Sequence, residues 1–192
     1  MKRSEINNFI SASAIFFTKN GWVLPPSPRW DVTDFGLGDF KRNGLLLVNL
    51  CEEPEYCEKL MYAVNQQETP LHYHKKKKED IICRNGLLTI YLWNNEQGQL
   101  DEKGPVLVKL NGVSVPVKPG EEILLRAGER ITILPSVWHK FYPASDECII
   151  GEVSTANDDM NDNFFFNPAI GRFSAIEEDE QAVVKLLSDK TN

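Results

Sequence analysis

The 192-residue sequence lacks several features that would point directly to a function. It has only three histidines and four cysteines, and no two cysteines form a CxxC pair. Buried free thiols are therefore expected rather than disulfides or a thiolate metal site. No apolar run approaches the ~20 residues that a membrane-spanning helix needs, so a membrane partner is not expected.

Positive charge is also scarce, with 21 Lys and Arg against 28 Asp and Glu and a formal net charge of −7. An acidic chain binds nucleic acid and anionic membrane surfaces poorly, so neither is expected as a partner. The residues after Met1–Glu5 show no apolar h-region or cleavage signal, which predicts a cytoplasmic protein.

Short apolar runs separated by turn signals dominate the middle of the chain. About ten such runs, spaced at roughly 8–12 residues, are typical of an all-β sandwich or barrel. The Asn-Gly pairs at 85–86 and 111–112 predict tight hairpins, because a type I′ turn needs positive φ at both central residues. The predicted strands are 45–51, 59–64, 80–83, 87–93, 106–110, 113–117, 122–125, 131–134, 138–142 and 149–154.

Both ends of the chain carry helical signals. From Ser4 to Lys19 the apolar residues recur at three- and four-residue spacing, with Ser4 as the N-cap and Asn20-Gly21 as the stop. A second, shorter helix is expected from Glu177 to Leu187. We therefore predict one domain over 1–192, with a helix and extended arm at 1–40, a barrel at 41–155 and a C-terminal extension at 156–192.

All three histidines fall where they could meet one carboxylate. His72 and His74 are one residue apart, so on a strand their side chains point the same way. A turn at 75–78 would bring Glu79 back to the same interior, and His139 would come from another strand of the same sheet. Three imidazoles and one carboxylate suit Mn, Fe, Co, Ni or Zn and leave open positions on the ion. The alternative is a chance histidine pair on an exposed strand.

The pattern His72-x-His74-x4-Glu79-x6-Gly86 resembles the first cupin motif, and Pro135-x3-His139 approximates the second. Further motifs make the chain similar to the D-lyxose isomerase family from Trp30 to about Glu180. They are Trp30–Gly38, Glu58–Met61, Thr69–Ile82, Gly151–Ser154, Asn157–Asp159, Asp162-Asn163 and Gly171–Phe173. The resemblance implies a cupin β-barrel (jelly roll) with the two terminal helices, and a divalent metal, typically Mn²⁺, with Zn, Co, Ni or Fe as alternatives.

The resemblance also implies a reaction on a small sugar, the interconversion of D-lyxose and D-xylulose, with D-mannose and D-fructose as a further pair. A proton would pass between C1 and C2 through an enediolate whose charge the metal neutralises. Glu152, at the end of a strand that leads into a polar loop, is the expected base. Lys77 alternates with Glu79 toward the interior, while Lys76 and Lys78 face outward, so Lys77 is the expected donor to a substrate oxygen.

Four further residues are candidates for sugar-hydroxyl contacts: Lys59, Asp159, Asp162 and Arg172. Lys59 could instead be a plain edge lysine, and the other three could order the C-terminal segment. Two rival functions stay open. A cupin dioxygenase would use the same ligands with an apolar pocket, and a non-catalytic sugar-binding cupin would lack the base. The exposed edges of a cupin sheet predict a homodimer.

Overall fold

The computed structural model describes residues 1–155, 158, 161–170 and 175–189, and strands dominate these residues. The helices are α1 (Arg3–Lys19) and α2 (Phe40–Asn43). No helix in the described ranges is long and apolar enough to cross a bilayer. The strands are β1 (Arg29–Thr33), β2 (Leu45–Glu52), β3 (Tyr56–Val64), β4 (His72–Tyr73), β5 (Glu79–Asn85), β6 (Leu87–Glu96), β7 (Gln99–Asp101), β8 (Val106–Leu110), β9 (Val113–Val117), β10 (Ile123–Arg126), β11 (Arg130–Ile133), β12 (Trp138–Pro143), β13 (Glu147–Thr155) and β14 (Phe164–Phe165).

The strands form two antiparallel sheets. The eight-stranded sheet has the order β1-β2-β3-β13-β5-β11-β8-β9, and the six-stranded sheet has the order β10-β6-β12-β4-β14 with β7 added to β6. Strands distant in sequence lie side by side, as β13 does between β3 and β5, which is typical of a jelly roll. The predicted all-β barrel of the cupin type with an N-terminal helix is confirmed.

Alternate residues of β2 and β3 face two separate apolar clusters, because successive strand residues point to opposite faces. Leu46 and Tyr62 point outward and are covered by the apolar face of α1, including Phe17. Leu45 and Met61 point inward, where the two sheets enclose the larger cluster. The eight-stranded sheet is therefore buried on both faces in this region.

The C-terminal segment contradicts the helix predicted over Glu177–Leu187. The described residues there contain bends, turns and isolated bridges, one of which joins Leu186 to Trp30. Leu186 is buried against the α1 cluster, but Val183 is 58% exposed, so the apolar residues do not form one buried helical stripe. Contacts with distant elements hold this segment, and they override its local helical spacing.

The start of α1 also differs from the prediction. The helix begins at Arg3, so Ser4 lies inside it and is not the N-cap. Asp179 of the C-terminal segment accepts hydrogen bonds from the Ser4 amide and hydroxyl groups at 2.9 and 2.7 Å. A carboxylate at this end of a helix is stabilising. The helix ends at Lys19 as expected, with Gly21 at φ 78°.

Only one of the two Asn-Gly pairs forms the predicted hairpin. Asn111 and Gly112 both have positive φ, 50° and 83°, and they join the paired strands β8 and β9. At 85–86 only Gly86 has positive φ, and β5 and β6 belong to different sheets. Gly86 is still required, because a Cβ there would lie 2.6 Å from the carbonyl oxygen of Glu147.

Candidate metal centre and active site

The two sheets supply different parts of one cavity of about 240 Å³. His72 lies on β4, His74 follows that strand, and His139 lies on β12 directly opposite His72. These strands belong to the six-stranded sheet, so the prediction that His139 shares a sheet with the histidine pair is confirmed. Glu79 and Glu152 come from β5 and β13 in the facing sheet.

The four residues predicted as metal ligands converge. Each offers one ligand atom, and these atoms all lie within 4.8 Å of one another. Glu79 Oε1 is 2.8 Å from His139 Nε2 and 3.7 Å from His74 Nε2. The ring centroids of His72 and His139 are 4.1 Å apart. A single ion could therefore contact all four side chains.

Main-chain carbonyl groups fix the tautomer of each histidine. His72 Nδ1 lies 2.8 Å and His139 Nδ1 lies 3.0 Å from the carbonyl oxygen of the residue two positions earlier in the chain. His74 Nδ1 lies 2.6 Å from the carbonyl oxygen of Asp162. A carbonyl oxygen only accepts, so in the neutral rings Nδ1 carries the proton and Nε2 keeps a lone pair.

The atoms that face one another in the centre are consequently all acceptors. His74 Nε2, His139 Nε2 and Glu79 Oε1 are buried, and no donor among the described residues satisfies them. Even the 2.8 Å contact between Glu79 and His139 joins two acceptors when the ring is neutral. Buried acceptors without a donor are unfavourable, and a divalent cation between them would satisfy all three. The residues present fit a divalent metal ion.

The protonation states also suit a metal ion. Burial and the neighbouring histidines lower the pKa of His72 well below its ordinary value, and burial lowers the pKa of His74 to about 4. Burial would raise the pKa of Glu79, but the ammonium group of Lys77 outweighs it and holds the pKa of this carboxyl well below its usual range. Neutral imidazoles and an ionised carboxylate are the forms that bind metal.

Lys77 connects the ligand set to Glu152. Its Nζ lies 2.8 Å from Glu79 Oε2 and 3.0 Å from Glu152 Oε1. Lys59 Nζ lies 3.5 Å from the same Glu152 oxygen. All four of these side chains are buried. Two ammonium groups thus face two carboxylates, which balances charges that would be costly to bury alone.

Glu152 is held in its ionised form. Burial would raise the pKa of Glu152, but Lys59 and Lys77 together lower the pKa of this carboxyl below its ordinary value. Lys59 lies opposite Glu152 in the ladder between β3 and β13, and β3 is an interior strand. This position contradicts the alternative of an edge lysine. The arrangement provides a carboxylate that can accept a proton beside an ammonium group that can donate one.

The loop between β4 and β5 divides the lysine run as the alternation predicts. Lys77 is buried, whereas Lys76 and Lys78 are exposed. Asp162 holds this loop, since its carboxylate accepts hydrogen bonds from the three successive amides of residues 75–77 at 2.9–3.1 Å. Among the described residues Asp162 is not part of the cavity lining. These hydrogen bonds join the C-terminal segment to the loop of residues 75–77, and both predicted roles of Asp162, a sugar contact and the ordering of the C-terminal segment, stay predictions.

Two other predicted sugar contacts, Asp159 and Arg172, lie outside the described residues. Sequence reasoning did not select several residues that line the cavity, among them Asp31, Thr33, Asn163 and Phe165. Asn163 and Phe165 flank Phe164, and strand alternation would have predicted that this pair faces one side. Asp31 and Thr33 are likewise two residues apart on β1, so the same alternation places them on one face.

Known proteins are similar to this chain over most of its length. The family model described as D-lyxose isomerase matches residues 27–190. A D-lyxose/D-mannose isomerase of Escherichia coli O157:H7 is 32% identical, with 98% of each chain covered. A D-lyxose/D-mannose isomerase of Serratia proteamaculans is 35% identical, over 94% of this chain and 93% of that protein.

A solved structure shows the same fold. The L-ribose isomerase of Acinetobacter sp. DL28 in complex with L-ribose aligns with a TM-score of 0.69 at 20% identity, over 92% of this chain and 98% of that chain. At this identity the likeness concerns the fold alone. The sequence relatives go further, because they exceed 30% identity across nearly the whole chain. The chain belongs to the D-lyxose isomerase family.

Proposed function

We propose that this protein is a metal-dependent aldose–ketose isomerase that interconverts D-lyxose and D-xylulose, with D-mannose and D-fructose as a second pair. The observation that carries the proposal is the placement of Glu152, paired with Lys77, beside the converged ligands in one cavity. Membership of the D-lyxose isomerase family supports a sugar substrate.

Isomerisation of an aldose needs a group that takes the proton from C2 and returns it to C1. Glu152 suits this task because it lines the cavity and is ionised, so it can accept the proton. Lys77 and Lys59 both contact Glu152 Oε1, which restricts the orientation of the carboxylate. After the first transfer the carboxylic acid returns the same proton to C1, and Glu152 is again ionised.

Charge also has to be balanced on the sugar oxygens during this transfer. The proposed ligands His72, His74, Glu79 and His139 would hold a divalent ion, which when bound supplies Lewis-acid stabilisation of that charge. Lys77 lines the same cavity and is the proposed donor of a charge-assisted hydrogen bond or of a proton to a substrate oxygen. If Lys77 gives a proton to O1, the hydroxyl group at C2 gives its proton to Lys77, so Lys77 is again an ammonium group at the end of the reaction.

The remaining predicted residues have different proposed roles. We propose that Lys59, which lines the cavity, binds a substrate hydroxyl group as well as Glu152. Asp162 is proposed to order the loop of residues 75–77 rather than to touch the sugar, because its carboxylate is already occupied by three amides. Asp159 and Arg172 stay candidates for sugar-hydroxyl contacts on the family resemblance.

A cupin dioxygenase is the second candidate, and one observation favours it. Part of the cavity wall is apolar and includes Leu47, Met61, Phe141 and Phe165. An apolar pocket is what an oxygenase would use for an organic substrate. The buried pairing of Lys59 and Lys77 with Glu152 favours a polyol instead.

Turnover tests the proposal directly. Purified protein loaded with Mn²⁺ should convert D-lyxose to D-xylulose under anaerobic conditions, and the same protein treated with a chelator should not. Formation of no ketose from either D-lyxose or D-mannose would reject the isomerase. Oxygen uptake with an aromatic substrate would support the dioxygenase, and retained metal with neither activity would support a sugar-binding module.

We further propose Mn²⁺ as the resident metal, a homodimer as the working state and the cytoplasm as the location. Zn, Co, Ni and Fe are the alternatives to Mn²⁺, because the same ligands suit them. A panel of metals assayed with D-lyxose and D-mannose would rank both the ion and the sugar. Light scattering after gel filtration would test the dimer.

A further inference from the structure

We propose that Asn163 accepts a hydrogen bond from the sugar hydroxyl at C3, the carbon next to the reacting pair, and so helps to select the substrate. The inference rests on the proposed isomerase function and extends it to a specificity-determining residue. Asn163 lines the cavity but belongs neither to the ligand set nor to the Lys–Glu cluster.

The side-chain oxygen of Asn163 has the same property as the atoms at the metal centre. It is buried, and no hydrogen-bond donor from the part of the chain that the structure describes reaches it. Among the residues described as lining the cavity, the other buried atoms without a partner are His74 Nε2, Glu79 Oε1 and His139 Nε2. A buried amide oxygen without a donor is unfavourable, so a donor is expected to arrive with the bound ligand. A sugar hydroxyl group is such a donor.

The strand register places this oxygen close to the metal centre. β14 pairs with β4 so that Phe165 lies opposite His72 and Phe164 opposite Tyr73. Continuing this antiparallel register by one residue beyond both strands puts Asn163 beside His74. Asn163 and Phe165 both face the cavity. The phenylalanine between them points the other way and stacks on Tyr73, with ring centroids 5.0 Å apart.

The neighbouring residue fixes Asn163 relative to the metal ligands. The main-chain oxygen of Asp162 contacts His74 Nδ1 at 2.6 Å, and its carboxylate binds the amides of residues 75–77. A side chain attached to such an anchored position is pre-organised, so little conformational entropy is lost when it binds a ligand. Asn163 is therefore suited to distinguish between sugars that differ in the position of one hydroxyl group.

The position of Asn163 selects the hydroxyl group. In the proposed reaction the ligand set and Glu152 act at C1, C2 and their oxygens. We infer that an acceptor beside His74, outside the groups that act at C1 and C2, pairs with the next hydroxyl group along the sugar chain, which is the one at C3. D-Arabinose differs from D-lyxose only in the configuration at C3. A site that hydrogen-bonds a hydroxyl rejects the epimer, because the buried acceptor stays unpaired.

The variant Asn163→Leu tests the contact, since leucine keeps the size of the side chain and removes the acceptor. We expect kcat/KM for D-lyxose to fall about 10-fold, mainly through KM, and the preference for D-lyxose over D-arabinose to fall by a similar factor. D-Arabinose is followed by its inhibition constant if its turnover is too slow. An unchanged preference would overturn the proposal.

Asn161→Leu is the matched control. Asn161 lies two residues earlier, is exposed, and contacts Asp158 rather than the cavity. It should retain the wild-type preference, and thermal unfolding of both variants checks that each is folded. If Asn163→Leu does not fold, Asn163→Ala takes its place. Equal loss of preference in the Asn161 control would also overturn the proposal, because the effect would then come from the segment.

Two measurements do not depend on turnover. In the Glu152→Gln background, which cannot turn the sugar over, Asn163→Leu should weaken binding of D-lyxose about 10-fold and leave Mn²⁺ affinity unchanged. Loss of Mn²⁺ affinity would make Asn163 a metal ligand and would overturn the proposal, as would unchanged D-lyxose affinity. Absence of isomerase activity in the wild type would reject the proposed function, whereas the D-lyxose binding measurement would still decide the role of Asn163.

Discussion

The two faces of strands β3 and β13 are both buried, but their chemistry is opposite. Outward-facing residues such as Tyr62 and Ile149 belong to the apolar cluster under α1. Inward-facing Lys59 and Glu152 are paired charges beside the cavity. Burial of apolar surface stabilises the fold, whereas burial of charges costs free energy unless they are paired. One pair of strands therefore separates the residues that stabilise the sheet from those proposed to react.

The inner face also changes along its length. Cys148 and Ile150 on β13 belong to the apolar cluster between the sheets, and Glu152, the next inward residue, lines the cavity. The charged cluster is thus confined to one part of an otherwise apolar interior. Substitutions on the inner face should accordingly change catalysis or metal binding, whereas substitutions on the outer face should change the free energy of unfolding.

The largest effect is expected on the inner face from Glu152→Gln. The amide cannot take a proton from carbon, so kcat for D-lyxose should fall on the order of 1000-fold, while bound Mn²⁺ measured by elemental analysis stays unchanged. Val153→Gln is the control, since Val153 is the next residue, faces the opposite side and is 39% exposed. A Glu152→Gln enzyme as active as the wild type would remove Glu152 as the base.

The outer face should respond in stability. Phe17 is fully buried, with its ring 6.2 Å from that of Tyr62, so Phe17→Ala should lower the free energy of unfolding by about 3 kcal/mol. Denaturant unfolding measures this loss, and kcat of the folded variant should stay near the wild-type value. Ile15→Ala on the same helix is the control, because Ile15 is 69% exposed and its loss should cost under about 0.5 kcal/mol. Similar losses for both would show that burial under α1 is not the cause.

Substitutions on the two faces of β5 should likewise differ in their effect on metal affinity. Glu79→Gln removes the charged oxygen from the ligand set and should weaken Mn²⁺ binding about 100-fold, as measured by titration of the metal-free protein. Asp80→Asn is the matched control, since Asp80 is the next carboxylate in the strand and lies 3.4 Å from Arg130 instead. If Asp80→Asn lost as much affinity, the weakening would reflect general charge rather than ligation.

Most strand positions and the convergence of the four candidate ligands could be predicted from the sequence because both depend on a period of two. His72 and His74 point the same way on any strand, and Lys77 and Glu79 repeat this alternation. Asn111-Gly112 closes its hairpin because both residues adopt the positive φ that the turn needs. In each case the information is contained within a few neighbouring residues.

The features that were missed depend on partners far away in the chain. The C-terminal residues have helical spacing, but Leu186 pairs with Trp30, and Asp179 contacts Ser4. The role of Asp162 likewise depends on amides more than 80 residues earlier in the chain. Local periodicity carries no record of such contacts, so only the fold reveals them.

Asp162→Asn tests one of these long-range contacts and should have a smaller effect. The variant keeps the main-chain oxygen that His74 contacts, but it weakens the hydrogen bonds that the side chain accepts from the amides of residues 75–77. We expect kcat to fall about 10-fold because Lys77 is less well positioned, with a lesser change in Mn²⁺ affinity. Asp158→Asn, in the same segment but hydrogen-bonded to Asn161, should leave kcat unchanged. Equal losses in both variants would assign the effect to the segment as a whole.

The smallest effect concerns the outer layer and depends on pH. Arg3 donates two hydrogen bonds to Glu178, at 2.8 and 2.7 Å, and these lower the pKa of that carboxyl below its ordinary value. The contribution of Glu178 to stability is therefore complete above the ordinary glutamate pKa of 4.5 and is lost as the pH falls through the lower folded-state pKa. The difference in midpoint of thermal unfolding between wild type and Glu178→Gln should accordingly shrink from pH 7 to pH 3. Glu177→Gln, which leaves the main-chain contacts of Glu177 in place, is the matched control for loss of a neighbouring carboxylate. A constant difference across this range would mean that Glu178 acts through packing rather than through its charge.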